Sequence, residues 1–535
     1  MGLLTHCFWK TRFPLRASIL ICIVLVLSIL AQHIVSIMAQ PAPCSPQSQG
    51  IQYPKRQFRA AWIATVENID WPSRSGLPTT TQQQEFIHLL DELVRMHMNA
   101  AIVQVRPSAD AFYPTKYAPW SAYLTGVQGK DPGYDPLAFM VNEAHKRNIE
   151  FHAWFNPYRV SMQDQLGQLA ASNPARQHPD WVVSYGGKLY YNPGIPAVRA
   201  FLVASILEVV KNYAIDAVHF DDYFYPYPIA RQDFPDDATY RQYGAAAFPS
   251  KSDWRRDNVN LLIHELSVGI KATRPGVKFG VSPFGVWRNK AVDPSGSDTQ
   301  AGVTDYDSLY ADTRTWLKRN WLDYIAPQVY WNIGFPLAAY DKLVPWWSHE
   351  VAGTHVQLYI GQAAYKINNN TAAWANPDEM PAQLALDLRY SAVQGNIFFS
   401  MRSLLANPLG LQGRLLSGVY KYQALRPEMS WLGGQAPQPV SLQPLQRTQQ
   451  GVVLHWNDPS SSSAQSYVIY RFPGHVMPNA CDFADARSLL ALVPRSAGDV
   501  QTFVDTTAQV GQTYTYAVTA VDRLNHESAP SQGKS

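Results

Sequence analysis

Ala217-Val218-His219-Phe220-Asp221-Asp222-Tyr223 is a short apolar run that ends in two adjacent carboxylates. In a β-strand successive side chains point to opposite faces, so Val218 and Phe220 share one side and His219, Asp221 and Tyr223 the other. Outward from it, similar runs occur at Ala60–Val66, Ala101–Arg106, Phe151–Asn156, Phe279–Pro283, Tyr324–Tyr330, Leu358–Ala363 and Asn396–Met401. Segments with helical spacing separate them, such as Phe86-Leu89-Leu90-Leu93-Val94 and Phe201-Leu202-Ile206-Val209-Val210. Strands alternating with helices predict parallel βαβ units. Eight such units over about 350 residues predict a closed (β/α)8 barrel of the α/β class with enlarged loops. A doubly wound open sheet is the alternative, but it normally needs no eighth unit.

In such a barrel, functional groups come from the C-terminal strand ends and the loops that follow. The apolar face of the Ala217–Asp221 run should pack against outer helices, which leaves Asp221 in the barrel mouth and Asp222 at the strand's exit. By the same alternation Gln104, Arg106, Trp154, Asn156, Gln328 and Tyr330 face inward. Cleavage of a glycosidic bond requires two carboxyl groups, one to protonate the leaving oxygen and one to act as nucleophile or base. Asp221 and Asp222 are the only adjacent acids at a predicted barrel-strand end, and neighbouring like charges in a walled site push one pKa upward. They are the expected catalytic pair, with Asp110 in reserve as proton donor. The expected sugar-binding residues are Arg106, Asn156, Tyr158, Arg159, Tyr223, Trp287, Arg288, Gln328, Tyr330, Trp331, Gln362 and Tyr365.

Structural readings compete with these. A strand-end Asp such as Asp222 can cap the next turn. Arg106 can hold Asp221 in place of substrate, and Asn156-Pro157 can be a turn alone. His152 and His219 read as satisfied interior histidines, because no second ligand spacing supports a metal site. Further acids within reach are Glu67, Asp70, Asp293, Asp298 and Asp305.

The 535 residues exceed one ordinary core. A net charge of +3 gives no strong field for nucleic acid, and no such partner is expected. At the N-terminus, Lys10, Arg12 and Arg16 precede the apolar run Ala17–Ala31, with small residues up to Ala39. This reads as a secretory signal cleaved after Ala39 or Ala31, and an uncleaved anchor is the alternative. Export to the periplasm, envelope or exterior is therefore expected, with membrane contact only through that segment. Residues 40–55 read as a linker, 56–435 as the barrel and 436–535 as a small all-β sandwich with Trp456, Tyr467, Tyr470, Tyr514 and Tyr516. Cys44 and Cys481 are left in the mature chain, and two such residues are weak grounds for a bridge.

Several ordered stretches carry a family resemblance. They are Arg59–Val66 with Asn68-Ile69-Asp70-Trp71-Pro72, Gln104-Val105-Arg106-Pro107 with Asp110-Ala111-Phe112-Tyr113, and Trp154-Phe155-Asn156-Pro157-Tyr158-Arg159. Then come Asn192-Pro193-Gly194, Phe220–Pro226, Gly280–Arg288, Ala326–Trp331 and Gly361–Tyr365. On these, residues 56–420 resemble the glycosyl hydrolase-like 10 family of bacterial envelope proteins, and the tail resembles a fibronectin type III module. The resemblance implies a TIM-type barrel with glycosidase-like machinery. It also implies a polysaccharide partner, peptidoglycan glycan strands stripped of their peptides. Glu67 lies where no family-wide acid is expected and is left out of the site. No cofactor is expected. Two other classes stay open: a non-catalytic glycan-binding protein of the envelope, and a metal-assisted deacetylase using Asp221, Asp222 and a histidine. The absence of GxGxxG and GxxxxGK[ST] disfavours nucleotide enzymes.

Overall fold

The computed structural model describes residues 53–369, 371–459 and 463–535. The expected signal segment 1–39, most of the linker and Cys44 lie outside the described residues. Eight parallel strands close into a barrel. In chain order they are Phe58–Ile63, Ala100–Arg106, Glu150–Phe155, Ala217–Phe220, Lys278–Val281, Tyr324–Ile325, Gln357–Gln362 and Val393–Phe398. All eight fall on the apolar runs read from the sequence. The last pairs with the first, Phe58 opposite Gly395 and Ala61 opposite Phe398, which leaves no free edge.

Alternation along each strand builds two separate apolar bodies. Ala61, Ile63, Val103, Phe151, Val218, Phe220, Phe279 and Leu358 point outward into the layer shared with the helices. That layer includes Thr79–Arg95 and Pro196–Asn212, whose Leu89, Leu90, Leu93, Ile206 and Val209 are buried. Phe58, Ala60, Trp62, Ile102, Trp154, Tyr324 and Tyr359 point inward and fill the barrel, so it is a packed core and not a pore. Across its middle the Tyr324 hydroxyl bonds His152 Nδ1 at 2.8 Å and His219 Nδ1 at 2.9 Å. Both histidines are interior groups with partners, as read from the sequence.

Gly280 is what makes room for that tyrosine. A Cβ there would lie 2.0 Å from Tyr324 Cζ. Gly280→Ala is expected to cost about 1–3 kcal/mol by overpacking. Urea denaturation reads the loss, and an unchanged midpoint would mean that the ring can step aside.

Between the third strand and its helix the chain inserts a small antiparallel sheet that the sequence reading did not foresee. Its strands are Arg159–Ser161, Val182–Tyr185 and Lys188–Tyr191. Gly186 and Gly187, at φ 59° and 72°, make its hairpin turn. This sheet walls one side of the barrel mouth.

The tail forms two facing antiparallel sheets. One joins Ser441–Leu442, Gln446–Thr448, Gly451–Asn457 and Val500–Asp505; the other joins Ala464–Pro473, Leu489–Pro494 and Tyr514–Asp522. Trp456 and Tyr467 sit at their core with ring centroids 5.1 Å apart. The loop after the last strand reaches the N-terminal end of the barrel. There Asn525 Nδ2 donates to Glu150 Oε1 at 2.9 Å and Arg523 pairs with Asp216 at 3.1 Å. Leu524 packs against the barrel's interior cluster. The end of the expected linker is tied down as well: Pro54 bridges to Asp485, and Lys55 pairs with Glu527 at 2.7 Å.

Candidate active site

The C-terminal mouth of the barrel holds a cleft of about 460 Å³. Asp221 and Asp222 lie on its floor, together with Trp62, Gln104, Trp154 and Ser282. Each carboxylate is buried at the end of the fourth strand, and each is oriented by donors from other strands.

Asp221 accepts only N–H donors. Its Oδ1 takes the Tyr223 backbone N–H at 3.0 Å. Its Oδ2 takes Trp154 Nε1 at 3.2 Å and the Asn156 amide. Asn156 is itself fixed, because its Oδ1 accepts from Gln104, whose Oε1 accepts the backbone N–H groups of Thr65 and Val66 at 2.9 Å each. The first, second and third strands therefore aim one amide at Asp221. Burial, and next the charge of Asp222, push the Asp221 carboxyl up to about 6, while Arg159 and the donors oppose the shift.

Asp222 has different neighbours. Gln328 Nε2 donates to its Oδ1 at 2.9 Å and also to the Ser282 carbonyl at 2.9 Å, which fixes the amide's orientation. The Tyr227 hydroxyl bonds its Oδ2. Burial raises this carboxyl too, against the pull of Tyr227, Gln328 and Arg159. Donor-only groups around Asp221 favour its ionised form. A hydroxyl beside Asp222 can donate or accept and suits either form. Burial raises both carboxyls, so the pair shares a proton; the hydrogen-bond partners, and not burial, favour its seat on Asp222.

Under the floor, Trp62 Nε1 donates to His219 Nε2 at 3.1 Å, so the neutral ring carries its proton on Nδ1 toward Tyr324. Burial holds His219 well below the ordinary histidine value, which keeps it neutral. The walls are aromatic. Tyr223, Tyr330, Trp331 and Tyr365 line the cleft, with Arg159 stacked over the Tyr223 ring at 4.5 Å. Tyr223 and Tyr365 are exposed and offer flat faces to a ligand.

Of the residues chosen from sequence, Asp221, Asp222, Arg159, Tyr223, Gln328, Tyr330, Trp331 and Tyr365 line this cleft. Asn156 stands behind it and positions Asp221 without lining the wall. The other choices are corrected by the fold. Asp110 is buried away from the cleft against Gln128 at 3.2 Å, out of place for a reserve proton donor. Arg106 is buried beside the Phe201 ring, because the register shifts between Gln104 and Arg106 and turns it off the inward face. Tyr158 is fully buried outside the cleft. Trp287 stacks on Trp346 with centroids 6.1 Å apart, and Arg288 is paired with Asp307 at 2.9 Å. Gln362 points outward with Leu358 and Ile360, and donates to Asp387 at 3.0 Å and to Tyr340. Burial there pushes Asp387 up to about 7.

The sequence reading set Glu67 aside and missed Tyr227, Lys188, Tyr190 and Lys366, yet all five line the cleft. Glu67 sits in the first loop at φ 52° and is exposed, whereas Asp70 turns away to hold Ser400 Oγ and the Arg402 N–H at 2.7 Å each. Val182-Val183-Ser184-Tyr185-Gly186-Gly187-Lys188-Leu189-Tyr190-Tyr191 carried the signal for part of this wall, since two apolar runs about a Gly-Gly pair spell a hairpin. Among the described residues no group of three His, Cys, Asp or Glu side chains is placed to hold a metal ion.

Residues 57–376 match the family model described as glycosyl hydrolase-like 10. The chain is 54% identical over 483 residues to the protein named Glycosyl hydrolase YngK of Bacillus subtilis (strain 168), covering 89% of this chain and 93% of that one. It is 42% identical over 409 residues to Glycosyl hydrolase DigH of Escherichia coli (strain K12), covering 72% of this chain and 92% of that one.

Proposed function

We propose, from the premise that this chain belongs to the glycosyl hydrolase-like 10 family, that it is an exported glycoside hydrolase acting on peptide-free peptidoglycan glycan strands. The observation that carries the hydrolase reading is the adjacent pair Asp221 and Asp222, buried at the floor of an aromatic-walled cleft and held by unlike partners. Aromatic faces suit the C–H face of a pyranose ring, and the polar rims of Arg159, Gln328 and Tyr330 suit its hydroxyls.

In this reading Asp222 gives its proton to the glycosidic oxygen as the bond from that oxygen to the anomeric carbon breaks. Asp221, ionised, serves the anomeric carbon as nucleophile or takes a proton from the attacking water. Water supplies the hydroxyl of the new reducing end, and the pair ends the cycle with one proton, as it began. Exclusion of bulk water from the floor strengthens both charges' effect on the transition state.

The test is incubation of the mature protein with peptide-free glycan strands and, separately, with plain polysaccharides, followed by mass analysis of products. New reducing ends from the strands support the assignment. Retention of strands without cleavage favours a glycan-binding protein, and loss of acetyl groups without cleavage favours a deacetylase.

One pH dependence follows. Turnover needs one proton on the pair; burial raises both carboxyls and their repulsion resists ionising the second, so the pair keeps that proton to a pH above the ordinary carboxylate range, with Asp221 itself pushed up to about 6. Above that value both groups are ionised and the donor is lost. kcat/KM is therefore expected to fall tenfold per pH unit on the alkaline side, starting near neutrality. A profile flat to pH 9 would show that some other group supplies the proton.

A further inference from the structure

Two lysines in the cleft have no carboxylate partner among the described residues. Lys188 stands on the inserted sheet after the third strand, and Lys366 on the turn Ala364–Lys366 after the seventh. The strand order places the third and seventh strands on opposite sides of the barrel. A chain of sugars crossing the floor between these walls passes both. Each is half-buried, and each lines the cleft.

Their surroundings set them apart from other lysines withdrawn from water. Lys55 holds Glu527 at 2.7 Å, Lys271 holds Asp323 at 2.6 Å, and Lys278 is paired with Glu150. Among the described residues Lys366 Nζ donates to the Tyr330 carbonyl, at 2.6 Å, and lies over the Tyr365 ring, 5.8 Å from its centroid. Lys188 has no ion pair among the described residues. Glu67 shares the cleft and pairs with neither. Burial lowers Lys366 from the ordinary lysine value, as expected of a cation that lacks its counter-charge. Partial burial of an unpaired ammonium costs free energy, and an anion arriving with the ligand removes that cost. The third cation, Arg159, already faces Asp221 and Asp222.

We propose that the cleft selects glycans carrying free carboxylates along the strand, with Lys188 recognising one on its side of the floor and Lys366 another on the opposite side. This rests on the hydrolase reading above and narrows its substrate class. A muramic-acid unit has such a carboxylate on its lactyl ether. A peptide attached there turns it into a neutral amide and adds bulk, so the same lysines would discriminate against strands still bearing peptides.

The test compares peptide-free glycan strands in native form with the same strands after carbodiimide coupling to ammonia, which converts each lactyl carboxylate to a primary amide. Retention by the protein and release of reducing ends are both measured. Native strands are expected to be cleaved with a kcat/KM at least tenfold above amidated ones. The ratio should shrink toward one in Lys188→Ala and Lys366→Ala, survive in Lys188→Arg and Lys366→Arg, and fall with rising salt. Equal handling of the two substrates by the wild-type protein overturns carboxylate selection while leaving the hydrolase reading intact. Tighter retention of native strands with no cleavage of either upholds carboxylate selection and overturns the hydrolase reading. Retention and cleavage of neither overturns both.

Discussion

Asp221→Asn is expected to lower kcat about a thousandfold or more while leaving the fold and glycan retention nearly unchanged. The amide has the carboxylate's shape but neither its charge nor its basicity, so it can neither attack the anomeric carbon nor take a proton from water. Its oxygen can still meet the Asn156 amide and Trp154 Nε1, leaving one mismatch at the Tyr223 N–H. That mismatch costs about 1–3 kcal/mol. Removal of the buried charge beside Asp222 offsets part of it, because repulsion between the two carboxyls disappears. Kinetics on glycan strands, with thermal unfolding of the same sample, separate the chemical effect from the structural one. Activity within tenfold of wild type would remove Asp221 from the mechanism.

The largest effect on stability is expected at the other end of the barrel. Lys278→Met should destabilise the protein by about 3–5 kcal/mol, because it leaves a buried carboxylate without its nearest cation. Burial alone would raise Glu150, but Lys278, His152 and Arg426 outweigh it and hold the group well below the ordinary glutamate value. Arg426 stays 3.3 Å away and cannot by itself replace the lost charge. Since the folded value is depressed, the cluster stabilises the protein above the unfolded glutamate's pKa and is lost as pH falls through the folded one. The single variant should therefore resemble wild type most closely in acid. Adding Glu150→Gln should restore part of the lost stability at neutral pH, and urea midpoints for the single and double variants check it. A double variant weaker than the single would mean that Glu150 is needed for its other bonds, to His152 and Asn525.

The barrel could be read from sequence because its strands are buried on both faces and differ only in which side each residue takes. Leu358, Ile360 and Gln362 share a parity, and the same rule applied strictly would have sent Gln362 outward, where the structure has it. Arg106 defeats the rule for a physical reason: the register shift after Gln104 reverses facing within two residues. Trp287 and Arg288 lie far enough into their loop that strand parity no longer governs them, and local partners in Trp346 and Asp307 do. Asp221 and Asp222 were legible because a strand end fixes both depth and direction. Lys188 and Lys366 were not, since each sits on an excursion whose return to the mouth is set by tertiary packing.

The plug formed by Arg523, Leu524 and Asn525 has a practical consequence. Cutting the gene after residue 435 would take Asn525 from Glu150 and Arg523 from Asp216 and lift Leu524 off the packed interior, so the shortened product should lose stability and not simply an accessory.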